Sequence, residues 1–148
     1  MYGVVAEVEE LEWGWVERQL DHAGTYWVVA RGAGHPHPRP VWGVWARDGL
    51  HLSIGSPVVA RELSADPTVT VHLDSGTDVV VVEGTAALQS PEASEAHLDA
   101  YNVKYDWDYE IEQYGPFTHV QPTTVMAWRS AGWAGRDGFQ RVGRWAFD

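Results

Sequence analysis

Residues able to do chemistry stand out in few places. Residues 53–61, Ser-Ile-Gly-Ser-Pro-Val-Val-Ala-Arg, read as a strand end running into a helix. Ser56-Pro57 supplies an N-cap hydroxyl and a first-turn proline, and Asp66-Pro67 stops the helix. A helix start leaves backbone N–H groups without partners and carries the positive end of the helix dipole, which together form an anion site. Ser53 and Ser56 add hydroxyls, Val58 and Val59 add amides, and Arg61 stands one turn along. Arg39, on the facing strand, is a further cation. A capping serine and a solvated arginine account for the same residues without any ligand, and both readings stay open at this point.

Seven histidines raise the question of a metal. His35 and His37 share a face if their strand begins that early, and His51 and His72 fall on strands that read as neighbours. Yet no His-x-x-x-His pair and no cysteine is present, so no metal ligand is expected. Asp106 with Asp108, and Glu110 with Glu112, have the residue types of a glycosidase carboxylate pair. A solvated helix face explains them better, and no nucleophile elbow accompanies them.

Composition narrows the partners. A net charge of −11 with no basic run argues against a nucleic-acid surface. The lack of cysteine removes disulfides and thiolate sites and fits a reducing cytoplasm, where the protein is expected. The first ten residues are too short of apolar length for a signal peptide, and no run approaches a membrane span. Nine tryptophans in 148 residues exceed what core packing asks for, and point to a binding cavity or a subunit interface.

The elements that must position these groups read as one domain over residues 1–148: an N-terminal helix (1–23), a barrel core (24–90), a helical insertion (91–115) and closing strands (116–148). Residues 8–22 show helical spacing of Leu11, Trp15, Val16 and Leu20, with Glu7, Glu9 and Glu10 in an acidic first turn. Residues 25–31 read as a strand. Residues 41–46 and 51–54 flank Arg47-Asp48-Gly49, a strong hairpin signal. Residues 68–73 and 79–83 flank a longer turn. Ser90-Pro91 opens a helix to about Val103, Gly115-Pro116 closes the insertion, and residues 117–129 and 139–147 return to strand, with Pro122 marking an edge or bulge. Residues 132–138 read as a glycine-rich loop. Residues 41–45 and 79–82 are apolar on both faces, as expected where one face meets the barrel interior and the other a partner subunit or a ligand. The expected fold is mainly β with flanking helices: a six- to seven-stranded antiparallel split barrel, as a homodimer.

Residues 27–31, 34–42, 52–55, 66–73 and 79–84, and more loosely 105–107 and 144–147, resemble in order and type the pyridoxamine-phosphate-oxidase-like split barrels of the flavin- or deazaflavin-binding group. The likeness runs through most of residues 24–148. It implies a dimer cleft holding FMN or a deazaflavin coenzyme, hydride transfer to a small organic substrate, and no side-chain acid or base. The cofactor-binding residues it implies are Arg39, Val41, Trp42, Leu52, Ser53, Ser56, Val58, Val59 and Arg61. Trp42 and Trp45 are candidate walls, and Trp128 and Trp145 candidates to close the cleft from the second subunit. One departure matters. Where relatives carry a Ser-Arg-Lys run on the cofactor phosphate, this chain has Pro57, Val58 and Val59. Two lost charge-assisted hydrogen bonds cost roughly 3–6 kcal/mol, or about two to four orders of magnitude in affinity. The alternatives are therefore a loosely held coenzyme, a cofactor-free binding protein of the same fold, or a haem-binding relative. On this reading, Val59→Lys is expected to raise flavin affinity.

Overall fold

Alternation of apolar residues along six strands lets the sheet close on itself. The computed structural model describes residues 9–130 and 139–148. In chain order the elements are β1 (Glu9–Glu10), α1 (Trp13–His22), β2 (Tyr26–Ala30), β3 (His37–Ala46), β4 (Gly49–Ser53) and α2 (Pro57–Ala65). There follow β5 (Thr68–His72), β6 (Asp78–Leu88), α3 (Pro91–Tyr105), α4 (Ile111–Tyr114), β7 (Thr118–Ser130) and β8 (Phe139–Ala146).

The antiparallel order β2-β3-β4-β7-β6-β5 returns to β2, closing a six-stranded barrel. β7 is longer than its neighbour β4, so its second half carries β8 on the same side, and β1 adds to β8 in parallel. The strand that bridges two partners is what splits the barrel. Inward residues include Tyr26, Val28, Leu50, Leu52, Val69, Val71, Val80, Val82, Val120 and Val125. Val16 and Leu20 of α1, and Val59 and Leu63 of α2, enter the same core at helical spacing. Outside the barrel, α3 and α4 bury Tyr101, Tyr109 and Ile111 with Val44 and Phe117 in a second cluster. The Ser94 hydroxyl, buried in α3, accepts the Phe117 N–H at 2.9 Å and ties the insertion to the start of β7. No helix among the described residues is long and apolar enough to cross a membrane.

Most expected elements form close to the expected places, and three readings need correction. The first helix begins at Trp13, not near residue 8, because Glu9 and Glu10 pair with Arg141 and Val142 of β8; its first turn holds no acid, and Glu7 lies outside the described residues. β6 runs on to Leu88, since β7 pairs with its whole length. His72 is not beside His51: β5 pairs with β2 and β6, and the strand next to His51 presents His119. Pro122 does mark a bulge, with Gly84 opposite Pro122 and Glu83 opposite Thr124, leaving Thr123 as the extra residue. The expected loop at residues 132–138 lies outside the described residues.

The β3–β4 hairpin turns through Arg47 and Asp48, and the positive φ falls to Gly49 at +127°. A Cβ there would lie 2.2 Å from the Val120 carbonyl oxygen. Gly43 is constrained differently: a Cβ would come within 2.5 Å of Leu52 Cδ2 and 2.7 Å of the His51 carbonyl oxygen. Replacing Gly43 by alanine is therefore expected to cost about 1–3 kcal/mol, lowering the melting temperature by roughly 2–10 °C. Calorimetry of Gly43→Ala checks this; an unchanged melting temperature would show that β3 and β4 separate easily here.

Candidate functional site

β3 has ten residues but two half-length neighbours. β2 pairs with residues 37–41 and β4 with residues 42–46. Among the described residues, the β4 side of residues 37–41 therefore has no strand, because β4 stops at Ser53 and the chain leaves toward α2. Pro38 and Pro40 have no N–H, so the ladder to β2 must run through His37, Arg39 and Val41, which alternate with them. The open edge thus presents carbonyls and no donors, a common guard against strand addition. Arg39 is exposed beside it, with one guanidinium nitrogen donating to the Pro38 carbonyl at 2.9 Å.

The amino end of α2, at Pro57, starts four residues beyond Ser53, so chain length alone keeps it within about 14 Å of the end of β4. The Ser56 hydroxyl accepts the Val59 N–H at 3.4 Å, and the Ser56 carbonyl accepts the Ala60 N–H at 3.0 Å. Gly55 and Pro57 are exposed, and a Cβ built on Gly55 would meet nothing within 4 Å. The helix start is thus exposed at Gly55 and Pro57, with Ser56 and Val58 half-buried.

Placement of the sequence-derived residues divides them. Val59 and Leu52 are both 0% exposed in the core, and Val41 packs against that core. A lysine at 59 would bury a charge at a cost of several kcal/mol, more than the roughly 1.5–3 kcal/mol that one phosphate contact returns. The expected gain from Val59→Lys is withdrawn on that ground. Val58 is half-buried, whereas Arg61 is exposed on α2. Trp42 and Trp45 do face opposite ways. Trp42 is 43% exposed on the outer face, its ring parallel to Tyr105 at 4.5 Å and edge-on to Trp107 at 6.3 Å. Trp45 turns inward beside Trp13. Ser53, opposite Trp42, is half-buried on the same outer face. Trp145 sits 5.2 Å from Trp13 within its own subunit, while Trp128 lies opposite Val79 on β6. Asp106 takes the left-handed C-cap of α3 with φ 48°, and it, Asp108, Glu110 and Glu112 are exposed, as a solvated turn requires.

The sequence reading passed over Lys104, the chain's single lysine. Gly43 lies just past the end of β2, so its N–H and carbonyl have no strand to pair with on that side. The end of α3 takes the strand's place. The Tyr105 hydroxyl accepts the Gly43 N–H at 2.9 Å, and Lys104 Nζ donates to the Gly43 carbonyl at 2.9 Å and to the Tyr26 hydroxyl at 2.8 Å. The ammonium also stands over the Tyr26 and Tyr105 rings at 4.7 and 5.3 Å. Burial pushes the Lys104 amine down to about 8, against a smaller opposing pull from Asp21. Burial likewise pushes Tyr26 and Tyr105 upward, and Tyr101 up to about 12.

Three cavities indent the described surface. One of about 500 Å³ lies against Met126, Trp128, Arg144 and Trp145; one of about 480 Å³ lies between Trp13, Trp45, Asp48, His119 and Phe147; one of about 260 Å³ lies between Leu63 and Leu88. Trp45 lines the second of these, and Trp128 and Trp145 the first; Arg39, Val41, Trp42, Leu52, Ser53, Ser56, Val58, Val59 and Arg61 line none of the three.

No family model matches the sequence, and no curated protein matches it. Solved structures do. A FAD-binding protein from Mesorhizobium loti superimposes with TM-score 0.64 at 16% identity over 78% of this chain and 92% of the other. An F420 reductase gives 0.58 at 18% identity over 74% and 94%. A Listeria innocua protein assigned to the pyridoxamine 5'-phosphate oxidases gives 0.60 at 20% identity over 79% and 98%. At such identities the likeness is one of fold.

The single lysine makes its titration readable. With ¹⁵N-lysine labelling, the one Nζ signal is expected to titrate near 8; a midpoint near 10.5 would mean a solvated amine. The unfolded chain then holds the extra proton between these values, so stability is expected to rise with pH from about 8. The tyrosines work the other way: their folded values lie above the ordinary 10, so their contribution is lost above that pH. Chemical denaturation should show a stability maximum near pH 10, and a monotonic fall from pH 8 would contradict the placement of Lys104.

Proposed function

We propose that this chain, which has the split-barrel fold of the pyridoxamine-phosphate-oxidase-like proteins, is a homodimer that binds a flavin or deazaflavin coenzyme along the open half of β3 and serves hydride transfer to a small organic substrate. One observation supports the reading: β4 leaves β3 at Ser53, opposite Trp42, so the edge of residues 37–41 has no strand there among the described residues, and α2 begins at Pro57 just after that departure. A FAD-binding protein and an F420 reductase sharing this fold support it.

The residues fit such a group in part. The Val58 amide, the Ser56 hydroxyl and the helix dipole favour an anion, and exposed Arg39 and Arg61 supply charge nearby. The edge carbonyls accept from ring N–H groups, and Trp42 offers an apolar plane. The bound coenzyme would supply the hydride chemistry; the chain orients it and sets its surroundings. With core valine in place of a cation at position 59, the hold is weak and the coenzyme exchanges freely.

Dimerisation rests on the outer sheet. Trp27, His72, Val81 and Met126 stand in one half-buried cross-strand row over β2, β5, β6 and β7. A second subunit on this row would account for the two-sided apolar residues of β6, whereas at β3 the chain's own insertion covers Val44 and Trp42.

A second reading has its own support. Neither Val58 nor Val59 carries charge, and Val59 is committed to the core, which suits a binding protein for a less charged ligand.

Titration of the purified protein with FMN, FAD and the deazaflavin, followed by tryptophan fluorescence, separates the two. Saturable binding with Kd of about 1–100 µM is expected, weakened about 10-fold or more by Arg39→Ala or Arg61→Ala. No uptake at about 100 µM by a folded dimer favours the binding-protein reading, and a Soret band on adding haem favours the haem-binding one. Light scattering is expected to give a dimer that Val81→Glu turns into a monomer; a monomeric parent protein would remove the proposed cleft.

A further inference from the structure

We propose that Asp48, His51 and His119 bind one divalent first-row transition-metal ion at the edge of the cavity between Trp13, Trp45 and Phe147. The three residues come from the β3–β4 turn, from β4 and from β7, and the pairing of His51 opposite His119 puts both rings on the outer face. Their donor atoms all lie within 4.8 Å of one another. His51 Nε2 is 2.9 Å from Asp48 Oδ1, and His119 Nε2 is 3.8 Å from Asp48 Oδ2. Metal bonds of about 2.0–2.2 Å at near-right or tetrahedral angles separate neighbouring donors by about 3 Å, so the His51–Asp48 spacing is already that of two ligands on one ion.

The surroundings are those of a held ligand. His51 is 0% exposed, stacked against His97 at 3.5 Å on one side and His119 at 4.8 Å on the other. Its Nδ1 lies 3.0 Å from Gln89 Oε1, the outer contact that fixes a metal-bound imidazole and leaves Nε2 for the ion. With Gln89 oxygen toward Nδ1 and Asp48 oxygen toward Nε2, a neutral ring has one N–H for two acceptors. With its N–H on Nδ1 toward Gln89, the ring turns the Nε2 lone pair to the Asp48 carboxylate, a pair that a cation between them fits. His119 Nε2 donates to the Asp48 carbonyl at 2.8 Å, and metal binding exchanges that hydrogen bond for a coordinate bond.

Two imidazoles and one carboxylate leave coordination positions open, and such sets take zinc or non-haem iron. Here Asp48 and His119 line a cavity of about 480 Å³ whose other wall is Trp13, Trp45 and Phe147. The open positions therefore face a space large enough for a small apolar ligand bearing an oxygen or nitrogen donor. This site lies at the turn end of the β3–β4 hairpin, roughly 15 Å along β4 from Ser56, and does not depend on the coenzyme reading.

The test uses full-length protein stripped with EDTA and freed of chelator. Titration with Co²⁺ is expected to give one equivalent bound with visible ligand-field bands, displaced by Zn²⁺, with Kd below about 10 µM. Asp48→Asn and His119→Ala should each weaken binding at least 100-fold, while His35→Ala leaves it unchanged. Asp48 has an exposed side chain in a turn that favours Asn-Gly, so Asp48→Asn keeps the fold, checked by an unchanged melting curve of the metal-free protein. Absence of binding at about 100 µM Co²⁺ and Zn²⁺ overturns the proposal. So does binding that survives both Asp48→Asn and His119→Ala.

Discussion

A ten-residue strand with two half-length neighbours has to dispose of two open half-edges, and the rest of this molecule follows from how it does so. On the β2 side, the backbone of Gly43 is met by Lys104 and Tyr105 from the end of α3. An unpaired buried peptide group costs about 1–3 kcal/mol, so the insertion is held to the barrel by an obligation as well as by apolar contact. On the β4 side, residues 37–41 stay open among the described residues, and two prolines discourage another strand. One half-edge is closed by chemistry from within the chain, and the other is left as the place where something else can lie.

The same arrangement decides which candidate residues can act through side chains. Barrel closure turns Leu52 and Val59 inward, so either can contribute to a ligand only through its backbone. Trp42 is turned outward with Ser53, onto the tyrosines of the insertion. The electrostatics of the open edge and the helix start are modest: two exposed arginines and a helix dipole in a chain of net charge −11. On the proposed reading, such a site would select by shape and hydrogen bonding more than by charge, and would hold an anion loosely.

Local signals were legible. Ser56-Pro57 and Ser90-Pro91 start helices with their hydroxyls on Val59 and Ala93, and Asp48-Gly49 makes the turn. Even the inward face of Val59 was readable, since Val59 and Leu63 are four apart. What escaped were consequences of pairing between distant segments. Glu9 and Glu10 look like a helix's acidic first turn until β8 claims them as a strand. His51 meets His119 only because β7 crosses to β4, and Lys104 meets Gly43 only because β2 ends one step early. An isolated lysine in an acidic, tryptophan-rich chain was the one hint of the last.

The central claim is that the open half of β3 and the start of α2 form one ligand surface. Amide-resolved NMR during addition of FMN or the deazaflavin tests it most directly. The account predicts shifts concentrated on Arg39, Val41, Trp42, Gly55, Ser56 and Val58, saturating together with one affinity. Shifts centred on Asp48 and His119 while these amides stay still would contradict it.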